Sequence, residues 1–159
     1  MLKIFFPLYL LSFFFVDSTS AATTANATVR FTITALDAIT VSGSPGPLVV
    51  NDAVAGNPPT ADIDTATTYA VTTNNTSRRV TGRINTAMPT GLTLSVALAA
   101  PTGATSTGNT TLTTTAVSLV TGITRLAQGA LTITYQLAAT VSAAQVSGLT
   151  RTVTYTIGA

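Results

Sequence analysis

Beyond residue 25 the chain keeps only ten charged side chains, and six of them fall in two groups. Asp52, Asp62 and Asp64 lie in one loop-like stretch. Clustered carboxylates suit a hard cation such as calcium. An EF-hand loop, however, needs more acids and a closing Glu, and this chain has no Glu. Solvated loop acids account for "DID" more simply. The second group is Arg78, Arg79 and Arg83. On a strand, Arg79 and Arg83 share a face and form a candidate surface for an anionic ligand. The same charges would also guard an exposed sheet against unwanted edge pairing.

The residue types that are missing narrow the chemistry further. There is no Cys, His, Trp or Glu, and the one Lys is Lys3. The usual general base and soft metal ligands are therefore lacking. Schiff-base chemistry and a Ser-His or Cys-His pair cannot be built. The expectation is a protein that is not an enzyme and uses no metal or cofactor. The basic isoelectric point comes from few charges overall, so no nucleic-acid partner is expected.

The chain opens with Lys3, an apolar run from Ile4 to Val16, and the small residues Ser18 to Ala22. This is a signal-peptide pattern, with cleavage expected after Ala21 or Ala22. The apolar run is shorter than the ~20 residues of a membrane span, and no later segment is apolar enough. The organisation expected is 1–21 signal peptide, 22–35 N-terminal extension and 36–159 one domain, exported to the cell surface. An exported chain without Cys does not lean on disulfides. Packing and a continuous hydrogen-bond ladder must hold it.

Threonine is the commonest residue, with 35 copies. Thr and Val suit pleated surfaces better than helices. Apolar residues alternate in short runs: Val29, Phe31 and Ile33; Ile39 and Val41; Leu48 to Val50; Tyr69 and Val71; Val80, Gly82 and Ile84; Leu92 to Leu98; Leu131 to Leu137; Val153, Tyr155 and Ile157. A segment around Ala116 gives one strand or two. Asn51 to Ala66 is the longest loop-like stretch. About eight strands with turn signals between them predict an antiparallel β-sandwich of immunoglobulin-like type. Thr-x-Thr pairs recur without a fixed period, so no solenoid is expected. Sequons stand at Asn26, Asn74, Asn75 and Asn109.

The run "NATVRFTITA" alternates like a half-buried strand, yet it stands where a mature chain normally frays. It has two readings. It is the first strand of the protein's own sandwich, or it is donated to a neighbour whose sandwich lacks a strand. In the second reading Val29, Phe31, Ile33 and Ala35 fill the neighbour's pockets. Head-to-tail addition of that kind does not close and builds a filament.

Three stretches resemble subunits of chaperone–usher fimbriae, especially the cysteine-free group related to colonisation-factor pilins. "ATVRFTITALDAITV" is similar to their donor strand, acidic junction and first core strand. "TTYAVTTNNTSRRVTGRI" resembles their strand, polar turn and basic strand. "SAAQVSGLTRTVTYTIGA" resembles their closing pattern. Val146 stands where the family often has an aromatic, and the Pro-rich loop after Asn51 has no counterpart. The resemblance implies a structural subunit of a surface fibre for adhesion or biofilm. It also implies a periplasmic chaperone and an outer-membrane usher as partners, besides other copies of the subunit. The competing expectation is a monomeric secreted binding module for a glycan or protein. Sugar-binding modules usually display aromatic platforms, and Tyr69, Tyr135 and Tyr155 each sit in phase with core positions.

Overall fold

The computed structural model describes residues 24–159; the signal segment expected at 1–21 lies outside them. The chain divides after Ile33. Residues 24–33 adopt no strand, and Val29, Phe31 and Ile33 are 65%, 85% and 84% exposed. The alternation read there as a strand is real in sequence, but those residues have no ladder partner among the described residues.

From Thr34 onward the protein is all-β, with no helix among the described residues. The strands are β1 Asp37–Ser42, β2 Asp62–Thr73, β3 Arg78–Ile84, β4 Leu92–Leu98, β5 Thr105–Ser106, β6 Thr110–Thr111, β7 Val117–Ile123, β8 Leu126–Ala139 and β9 Val153–Gly158. They form two antiparallel sheets, ordered β1-β2-β8-β4-β6 and β5-β7-β3-β9. This is the β-sandwich that the alternation predicts.

Each inner face follows from a period of two. Val80, Gly82 and Ile84 point inward from β3, while Arg79 and Arg83 are exposed. Leu131, Ile133 and Tyr135 do the same on β8. Together with Tyr69, Val71, Val96, Leu98, Leu119 and Val120 they make one core between the sheets. Gly82 is needed in that row, because a Cβ there would come within 2.6 Å of the Leu119 side chain.

Several boundaries differ from the sequence reading, each for a local reason. β2 begins at Asp62, inside the stretch read as loop; its first half pairs with β8, with a register shift between Asp64 and Thr67. Leu48–Val50 forms no strand; the Val49 amide donates to the Asp62 side chain rather than to a strand backbone. Around Ala116 the outcome agrees with one of the two readings left open, since β6 and β7 are separate strands.

Thr67 follows the β2 irregularity and is 1% exposed, with its hydroxyl lacking any partner. A buried hydroxyl without a hydrogen bond costs about 1–3 kcal/mol. Thr67→Val should therefore stabilise the sandwich by about 1 kcal/mol. Urea unfolding of the two chains checks this; a loss of stability would mean that the hydroxyl is satisfied.

Candidate functional site

At the end of the sandwich where β1 stops, the sheets are not closed over. Of β1 only Val41 reaches this opening. It is a groove of about 1610 Å³, floored by Leu92, Leu94, Tyr135 and Leu137 and flanked by Val153 and Tyr155 of β9. Two irregular segments, 43–53 and 140–152, form its rim.

β9 explains why the groove is apolar. One of its edges pairs with β3 from Arg79↔Gly158 to Ile84↔Val153. Among the described residues the other edge pairs with nothing. Val153, Tyr155 and Ile157 carry the core alternation, but each is only half-buried. Their counterparts Val80 and Ile84 on β3 are fully buried. An unpaired edge beside half-covered core side chains is a template for another strand.

The loop carrying the acids is one wall of this groove. The Val49 amide donates to Asp62 Oδ2 at 2.6 Å, and the Gly46 amide donates to Asp64 Oδ2 at 3.2 Å. "DID" thus holds segment 43–53 against the uncovered half of β2. Asp62 and Asp64 act as substitutes for a missing strand backbone. Among the described residues no three acidic side chains converge. Gly91 fixes the other rim. Its φ is +83°, and a Cβ would meet the Ala143 backbone at 2.7 Å. Its carbonyl accepts from the Thr140 amide at 2.8 Å.

The tyrosines sit inside, as their phase predicts for Tyr69 and Tyr135. Tyr69 donates to the Ala99 carbonyl, and burial pushes its pKa up to about 12. Tyr155 donates to the Tyr135 hydroxyl at 2.9 Å, tying β9 to β8 across the groove floor. Burial raises both of these hydroxyls' pKa values, that of Tyr155 most strongly. Sequence reasoning placed Tyr155 in the core, but the half-open position of β9 leaves it at the groove wall.

The three arginines do not act together. Arg79 and Arg83 are exposed on the outer face of β3. Arg78 instead turns to Asp37, with Nε 3.1 Å from Oδ2, an ion pair without aligned hydrogen-bond geometry. Of the three arginines expected to share a surface, Arg79 and Arg83 stand on the exposed face, and Arg78 pairs with Asp37.

At the opposite end of the sandwich lies a polar knot that the sequence reading missed. The Thr73 hydroxyl donates to Asp37 Oδ1 at 2.6 Å, and the Asn75 amide donates to the same oxygen at 3.1 Å. The bonds from Thr73 and then Asn75, with Arg78 alongside, hold the Asp37 pKa below 3.8. The only sequence signal was the Asn pair in the β2–β3 turn.

Compared with known proteins, the chain matches no family model, no curated protein and no solved structure. No helix of the described residues is long and apolar enough to cross a membrane.

A depressed carboxylate pKa stabilises the fold above its unfolded value, and that stability is lost as pH falls through the folded value. The knot should therefore hold at neutral pH and open only below pH ~4. Asp37→Asn should lower the melting temperature at pH 7 and flatten its acid limb. Melting curves at stepped pH test this; an acid limb identical in both chains would remove Asp37 as its source.

Proposed function

We propose that the protein is a structural subunit of a surface fibre, polymerising head to tail by inserting the extension of one copy into the groove of the next. The observation that carries this reading is the pairing of two incomplete parts in one chain. The sandwich has an open β9 edge beside an apolar groove. The extension has an alternating apolar row with no ladder partner among the described residues.

The strand order supports the same reading. The orders β1-β2-β8-β4-β6 and β5-β7-β3-β9 leave β9 at the rim of its sheet, and among the described residues no strand pairs with its outer edge. An inserted segment would supply main-chain hydrogen bonds to β9 and side chains to the groove at alternate positions. Val29, Phe31, Ile33 and Ala35 have the spacing of Val153, Tyr155 and Ile157.

β1 runs from Asp37 toward the groove end. The Asn74 backbone amide donates to the Leu36 carbonyl at 3.2 Å, which continues the β1–β2 ladder past Asp37. Export by signal peptide, passage through a periplasmic chaperone and an usher, and a role in adhesion belong to this proposal through the resemblance. They agree with a chain built from packing and ladder alone, without Cys.

The test is a paired substitution in the mature chain. Phe31→Asp puts a charge on the inserted face and should abolish heat-resistant oligomers in unboiled gels and in sedimentation. Thr32→Asp lies on the opposite face and should leave them. A wild-type chain that stays monomeric at every concentration would overturn the proposal.

A further inference from the structure

The turn after β2 holds the chain at the point where the extension begins. Asn74 does this with its side chain. Its Oδ1 accepts from the Leu36 amide at 2.8 Å, and its Nδ2 donates to the Thr34 carbonyl at 2.7 Å. These are the acceptor and donor that one more residue of β2 would offer in a ladder. Asn75 adds a second hold, donating from Nδ2 to the Leu36 carbonyl at 3.3 Å and to Asp37 Oδ1. Asn75 itself is braced by the Thr73 hydroxyl, which accepts from its amide at 3.0 Å. The result is a side-chain splint that carries the ladder beyond the end of the sheet while the main chain turns away into β3.

We propose that Asn74, seconded by Asn75, is a positioning device that fixes the root of the extension to the sandwich and so sets the angle between successive copies in the fibre. The second half of this inference rests on the fibre reading above; the splint does not. Three points distinguish it from an ordinary turn. Both ends of the Asn74 amide are used, so Asp or Ser cannot replace it fully. Both bonds go to backbone groups of Thr34 and Leu36, residues otherwise exposed and outside any strand. The knot at Asp37 then locks the next residue to β2 and β3 through Thr73 and Arg78. A flexible joint would need none of these. Asn74 and Asn75 are also sequon residues, and a glycan on either nitrogen would compete with the splint.

The experiment compares the full mature chain with Asn74→Ala and Asn74→Asp. Two readouts are taken: amide exchange at Leu36 and the persistence length of fibres seen by electron microscopy. Asn74→Ala should speed Leu36 exchange at least tenfold while core amides such as Ile133 stay protected. Its fibres should form but bend several-fold more easily. Asn74→Asp keeps an acceptor for the Leu36 amide and loses the donor to Thr34, so it should fall between the two. Unchanged Leu36 exchange in Asn74→Ala would overturn the splint. Fast Leu36 exchange with fibres as stiff as wild type would overturn its role in setting the angle. If the wild-type chain forms no fibres, the fibre reading itself has failed, and Leu36 exchange still decides the splint.

Discussion

Everything distinctive in this protein depends on the unpaired edge of β9. A strand at the rim of a sheet usually protects itself with charge, proline or a covering segment. β9 carries neither charge nor proline, and β1 of the facing sheet lies against it without pairing. Its row Val153, Tyr155 and Ile157 keeps the core alternation to the end. Its edge lies open beside a groove floored by Leu92, Leu94 and Leu137. The core is complete around Val80, Ile84, Val96 and Ile133 and thins out toward β9. The Tyr155–Tyr135 hydrogen bond and the β3 ladder are what hold the strand in place.

The two ends of the sandwich are built for different work. At the groove end, the walls are irregular segments fixed by substitutes for strand pairing: Asp62 and Asp64 on one side, the tight Gly91 turn on the other. At the other end, Leu36 is bound by Asn74, and Asp37, the first residue of β1, by Asn75, Thr73 and Arg78. One end is shaped but open, and the other is polar and closed. On the proposed reading, the closed end of one copy presents the strand that the open end of the next receives.

The sheet rows were legible in the sequence because a period of two marks the buried face directly. Val80, Gly82 and Ile84 alternate with Arg79 and Arg83, and they fold that way. The start of β2 was hidden because Asp62 and Asp64 read as loop residues, and their role in binding backbone amides cannot be seen from spacing. Arg78 was grouped with its neighbours because pairing with Asp37, 41 positions earlier, is a product of the fold. The Asn74 splint was hidden for the same reason: an Asn in a turn signals a turn, not which carbonyl and amide it reaches. The extension shows the reverse case. Its period is as clear as that of any core strand, and yet Phe31 is 85% exposed, so alternation alone does not place a side chain in the chain's own core.

The most direct test places a photo-reactive phenylalanine analogue at Phe31 in the mature chain and mixes equal amounts of isotopically light and heavy protein before illumination. Insertion between copies should give crosslinks from light extensions to heavy groove peptides, around Tyr135–Leu137 and Val153–Tyr155, and the converse. Crosslinks confined to chains of a single isotope would mean that each copy fills its own groove. An absence of crosslinks to the groove would mean that the extension is not its occupant.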